Sequence, residues 1–214
     1  MDKLIEKLKE FNENINGESN INDIQEKFEE LAPIFLYGGY IKVRDDYKVF
    51  IRTVEFYFHS EKNKGVHDPI VYHRNGRDLE KAPYFPLMSL HAHNSGFDIT
   101  FEKPGEYRAS ALIRSYEVKN NNGEYFVWNK ENKYFKKSSK YGYNKQSTYL
   151  YALLNGFAFG NNNDITWEEE SREFKKVPGK PRQNVFKSES EWKYINTKKV
   201  KCDRKWSFTR EDEI

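Results

Sequence analysis

Glu55 stands in the run Phe50-Ile51-Arg52-Thr53-Val54-Glu55-Phe56-Tyr57-Phe58-His59, with apolar residues on either side of it. A carboxylate in such a strand needs either a basic partner or a raised pKa, and both states suit a general base acting on water. The plain alternative is a solvent-facing glutamate on an edge strand. All five histidines (His59, His67, His73, His91 and His93) fall between Phe50 and Arg114. On a strand, His91-x-His93 directs both rings to one face. Glu55 or His59 as a third ligand would complete an open zinc site. The motif is short and no cysteine pair supports it, so no metal and no organic cofactor is expected. The competing reading of the histidines is a polar pocket or an exposed strand face.

A second concentration of chemistry lies at 130–145, where lysine alternates with tyrosine and phenylalanine. Lysines such as Lys136, Lys137 and Lys140 can neutralise phosphates, and tyrosines can stack on bases. A solvated lysine-rich hairpin has the same composition. The chain contains no Walker loop, no GxGxxG and no local signature of a Ser-His-Asp triad.

The elements that must position these residues follow from periodicity. Leu4, Ile5, Leu8 and Phe11 recur at helical spacing within residues 2–13. A second helix is expected over 24–31, capped by Asn22 or Asp23, with Pro33 just beyond its end. From Tyr40 the period changes to two. Residues 40–44 and 47–58 read as a hairpin turning at Asp45-Asp46. Residues 87–93, 97–102 and 108–118 read as three further strands, and Pro104-Gly105 turns the last pair. Residues 69–73 read as a short extended piece followed by a turn at Asn75-Gly76. Residues 149–159 read as a short helix or buried strand, 177–182 as extended and basic, and 192–208 as one or two strands. The expected fold is a single α+β domain over 1–214. Residues 1–31 form a helical cover, 40–118 a curved, mostly antiparallel sheet carrying the pocket, and 120–214 a basic, aromatic extension.

Composition limits the remaining choices. Aliphatic residues are few, but 16 Phe, 15 Tyr and 4 Trp can close a core by area alone. The formal net charge is only +3, which by itself is weak evidence for a polyanionic partner, although most of the positive excess falls after residue 129. Cys202 is the only cysteine, so no intrachain disulfide can form. No secretory signal and no apolar run long enough for a membrane span is visible. A cytoplasmic monomer with no membrane partner is expected.

The order of these features resembles the alkyladenine (3-methyladenine) DNA glycosylases. Residues 31–44, Leu-Ala-Pro-Ile-Phe-Leu-Tyr-Gly-Gly-Tyr-Ile-Lys-Val-Arg, are similar to the family's helix end and first strand. Glu55-Phe56-Tyr57 stands where the family has Glu-x-Tyr, His67 where it has a histidine, and Arg74-Asn75 where it has Arg-Asn. Gly96-Phe97-Asp98-Ile99 and the segment ending Ile113-Arg114 resemble two later strands. Pro178-Gly179-Lys180 and Trp206-Ser207-Phe208 resemble its closing elements. The chain departs from the family at Thr53, Phe56, Ala92 and Ser95, where an acid, an alanine and two tyrosines are usual.

The resemblance implies a DNA repair enzyme that flips a damaged purine out of DNA and hydrolyses its N-glycosidic bond. It implies Glu55 as the residue that activates water and Tyr57 as the base stacker. His67, His91 and His93 would line the base pocket. Arg74, Arg114, Lys136, Lys137 and Lys140 would hold DNA or brace the pocket. A cationic alkylated base leaves without an acid, whereas a neutral one needs a proton donor, a part His67 could take. Two other readings stay open: a nucleic-acid or nucleotide binding module without catalysis, and a metal-dependent hydrolase built on the histidines.

Overall fold

The computed structural model describes residues 3–68, 71, 82–93, 96–145, 147–150, 153, 165–170, 175–182, 185–187, 192–193 and 203–211. His73, Arg74, Asn75, Gly76 and Ser95 lie outside them, as does most of 149–159.

Two helices open the chain, α1 over Lys3–Asn14 and α2 over Ile21–Tyr37. α1 buries Leu4, Leu8 and Phe11, the stripe its 3.6-residue period predicts. α2 is twice the expected length and begins earlier than expected. Its cap is Asn20, whose side chain accepts from the backbone N–H of Asn22 at 2.8 Å and of Asp23 at 3.1 Å. Pro33 lies inside α2 rather than beyond it. An interior proline costs about 3 kcal/mol. Here every residue from Leu31 to Tyr37 is buried, and that apolar burial offsets the lost hydrogen bond.

The sheet is antiparallel, curled and nine-stranded among the described residues. Its spine is two 14-residue strands, β2 (Tyr47–Ser60) and β5 (Tyr107–Asn120), paired from Tyr47 opposite Asn120 to Ser60 opposite Tyr107. β1 (Gly39–Val43) joins β2 through the expected hairpin. β3 (Leu90–His93) and β4 (Gly96–Thr100) continue the sheet beyond β5. The sheet is wider than 40–118. The later part of the chain adds β6 (Tyr125–Asn129), β7 (Tyr134–Ser138) and β8 (Ile165–Glu169). A separate two-stranded ribbon pairs β9 (Phe186–Lys187) with β10 (Trp192–Lys193), and β11 (Ser207–Thr209) returns to β2. β8 closes on β1, and β11 lies against the second half of β2.

Side chains alternate across β2, and the two faces have different neighbours. Val54, Phe56 and Phe58 face α2 and are buried without exception. The Phe56 ring stacks on Phe28 at 4.5 Å and 11°, and Phe28 in turn stacks on Phe11 of α1 at 5.7 Å. Phe35, Phe101 and Phe208 complete an aromatic core around Phe56. Glu55, Tyr57 and His59 therefore point to the opposite face. The β2–β5 pairing slips twice, between Ile51 and Thr53 and again between Thr53 and Val54. Across the second slip Ser115 opposes Thr53 and Ile113 opposes Val54, so Arg114 is the extra residue. Such bulges bend a strand and re-aim a side chain. No helix is long and apolar enough to cross a membrane among the described residues.

Candidate active site

Cross-strand register assembles the polar face. Glu55 lies opposite Leu112 on β5, which lies opposite Asp98 on β4, which lies opposite His91 on β3. The next row runs from Tyr57 through Ser110 to Thr100. His93 is on the same face of β3 as His91, opposite Gly96. Alternation alone thus brings Glu55, Tyr57, Asp98, His91 and His93 to one side of the sheet.

Glu55 is 1% exposed. The bulge sends the Arg114 guanidinium to it, with Nε 3.1 Å from Oε2. The Tyr57 hydroxyl donates to the same oxygen at 3.2 Å. Glu55 thus has the basic partner that a carboxylate in an apolar strand calls for. Burial pushes the Tyr57 phenol well above its ordinary range, and the neighbouring Glu55 carboxylate pushes it further the same way. Tyr57 therefore stays protonated and acts as a donor to Glu55. Arg114 serves as a brace beneath the carboxylate.

The Tyr57 ring is covered. The Arg182 guanidinium lies over it at 4.6 Å and over the Trp206 ring at 5.1 Å, a flat cation between two aromatic rings. Arg182 and Asp68 are both fully buried and paired at 2.5 Å. Arg204 approaches the same carboxylate at 4.0 Å and stacks over Trp206 at 4.9 Å. Arg182 comes from the extended basic segment and Trp206 from the approach to β11. Their meeting with Tyr57 has no trace in local sequence.

On the other side of Glu55, His93 Nε2 is 2.9 Å from Asp98 Oδ2, with side chains 9% and 2% exposed. The His91 ring lies 6.1 Å from that of His93 and 4.3 Å from Phe85. Asp98 was missed as a site residue. It sits between Phe97 and Ile99, the same signal that marks Glu55. Gly96 has φ +152, and a Cβ there would fall 2.1 Å from Ser147 Oγ, which accepts the Phe97 N–H at 3.0 Å. Ser147 thus roofs the β4 end of the face.

His67 is placed apart from Glu55. It is exposed and lies 5.4 Å from the ring of His59. His59 Nδ1 accepts the Asp68 backbone N–H at 3.1 Å, and burial, aided by His67, lowers its pKa. Lys136, Lys137 and Lys140 are exposed on or just after β7, with Tyr134, Tyr141 and Tyr143 exposed nearby. Lys137 pairs with Glu124. Among the described residues no group of three or more His, Cys, Asp and Glu is arranged to hold a metal ion.

No family model, no curated protein and no solved structure matches the chain.

Proposed function

We propose that the polar face of β2 is the active site of an N-glycosyl hydrolase acting on damaged purines in DNA. The observation that carries the proposal is Glu55, buried, held by Arg114 Nε at 3.1 Å and by the Tyr57 hydroxyl at 3.2 Å. Loss of a purine from deoxyribose passes through a cation-like sugar. Water must reach the anomeric carbon from the side opposite the leaving base. One fixed carboxylate can orient that water, take its proton and stabilise the developing positive charge. Arg114 Nε and the Tyr57 hydroxyl both engage Oε2 of Glu55, which fixes the orientation of the carboxylate. Tyr57 is 1% exposed and its ring is covered by the buried Arg182 guanidinium at 4.6 Å, so its part in this reading is to donate a hydrogen bond to Glu55 rather than to stack on the base. No cofactor takes part in this chemistry.

The test is release of free base from methylated DNA by the wild type and by Glu55→Gln. The variant keeps the shape of the side chain and removes the base, so activity should fall about a hundredfold or more while DNA binding persists. Wild-type-like turnover by Glu55→Gln would remove the mechanism.

One observation favours a second reading, a nucleic-acid binding module without catalysis. Three exposed tyrosines and three exposed lysines gather at and just beyond β7, a combination that suits stacking and phosphate neutralisation. Under that reading affinity for DNA survives in Glu55→Gln and no base is released by either protein.

A further inference from the structure

We infer that three lysines aligned across the sheet, with the aromatic rings beside them, form a docking surface for single-stranded DNA. The assignment rests on the nucleic-acid reading above and lies outside the Glu55 site. Register puts Lys42 of β1 opposite Lys48 of β2, and Lys48 opposite Lys119 of β5. The row continues through Tyr125 of β6 to Ser138 of β7. Val49 and Ile51 alternate with Lys48 and Phe50 and lie in the core, so the row is on the sheet face away from the helices. That face also carries Glu55, about 20 Å away along β2.

Like charges directly opposite one another on adjacent strands destabilise a sheet, and here three stand in succession. Local acids offset this only in part. Lys42 reaches Asp45 at 3.0 Å, a side chain that is 94% exposed. Lys119 reaches the buried Glu117 at 3.4 Å, but Glu117 also pairs with Arg52 at 3.1 Å. Asp46 in the β1–β2 turn and Glu168 of β8, opposite Tyr40, are further acids at this end of the sheet. Lys48, in the middle of the row, has no carboxylate partner among the described residues, and its ammonium lies over the Tyr40 ring at 5.0 Å. Exposed Lys136 on β7 and Lys140 just beyond it extend the positive charge. A row of cations with an unneutralised centre fits a polyanion.

The rings select the kind of polyanion. Lys119 lies over Phe50 at 5.0 Å and over Tyr125 at 4.7 Å, and Tyr141 meets Tyr125 edge-on at 5.4 Å. The chain after β7 folds back to bring Tyr141 here. The Asn144 backbone bridges to Tyr116, and the Tyr141 hydroxyl donates to Glu117 at 2.9 Å. Tyr141 is nevertheless 48% exposed. Its hydroxyl is anchored while much of the residue stays open to solvent, as a stacking platform requires. A duplex hides its bases and meets a basic face through phosphates alone. A single strand presents phosphates to the lysines and bases to the rings, so the interleaving of the two favours it.

The experiment measures binding of the full chain to fluorescently labelled oligo(dT), oligo(U) and a DNA duplex by anisotropy over a salt series. Wild type should bind oligo(dT) more tightly than the other two. The triple variant Lys42→Gln, Lys48→Gln, Lys119→Gln should lose about tenfold or more in affinity for oligo(dT) at low salt, and its salt slope should flatten by about two. Its urea midpoint should equal or exceed that of wild type, because the variant relieves the repulsion along the row. Tyr141→Leu should lose about fivefold or more, whereas Tyr141→Phe, which keeps the ring, should bind like wild type. Unchanged affinity and slope in the triple variant, or a lowered urea midpoint, would overturn the assignment and leave the nucleic-acid reading standing. So would wild-type binding of duplex or oligo(U) as tight as that of oligo(dT). Binding of none of the three probes by wild type would remove both.

Discussion

Arg114→Met tests whether the Glu55 site is held electrostatically. The variant keeps the unbranched stem of the side chain and removes the guanidinium with its charge. Glu55 is 1% exposed, and its carboxylate then loses a guanidinium 3.1 Å away. Breaking a buried pair by deleting one partner typically costs 3–5 kcal/mol. The Arg114 side chain is 18% exposed, so water can approach its end of the pair, and the Tyr57 hydroxyl remains. Both facts favour the lower end, about 3 kcal/mol. With an m-value of about 3 kcal/mol per molar urea, the midpoint of unfolding should fall by about 1 M. Glu55→Gln alone should cost less, because Arg114 can turn to solvent. The double variant should return to within about 1 kcal/mol of wild type, since neither charge is left buried alone. The coupling energy from the cycle should be at least about 2 kcal/mol. An Arg114→Met midpoint equal to wild type, or a double variant as unstable as Arg114→Met, would show that the pair does not hold the site.

Three further outcomes are expected. Phe56→Ala removes a fully buried ring stacked on Phe28 at 4.5 Å, and should cost about 3–5 kcal/mol in urea unfolding. The His59 pKa is lowered from an ordinary 6.5, so the unfolded chain binds the proton more readily. Stability from this group is complete above 6.5 and is lost as pH falls through the folded-state value. Midpoints at pH 7.5 and about 5 should differ less in His59→Gln than in wild type. Gly96→Ala forces a Cβ to within 2.1 Å of Ser147 Oγ at φ +152, and should lower stability by about 1–3 kcal/mol, read as a drop in melting temperature.

What the chain fixes locally is its periods. Phe56 and Phe58 against Glu55 and Tyr57 is a period of two, and it alone separates the aromatic core from the polar face. Leu4, Leu8 and Phe11 are a period near 3.6, and it alone puts α1 on that core. Asp45-Asp46 between two alternating runs is enough to close the β1–β2 hairpin. The continuation of α2 through Pro33 was not legible, because proline argues for a stop and only the buried run around it overrides that. Which residues meet across the site was not legible either. Arg114 reaches Glu55 because β2 and β5 slip register, an event that depends on pairing strands about 60 residues apart. His93 meets Asp98 through the β3–β4 register, and Arg182 reaches Tyr57 and Asp68 from more than 110 residues downstream. A period constrains the face on which a side chain lies, whereas a partner at such separation is chosen only when the strands have packed.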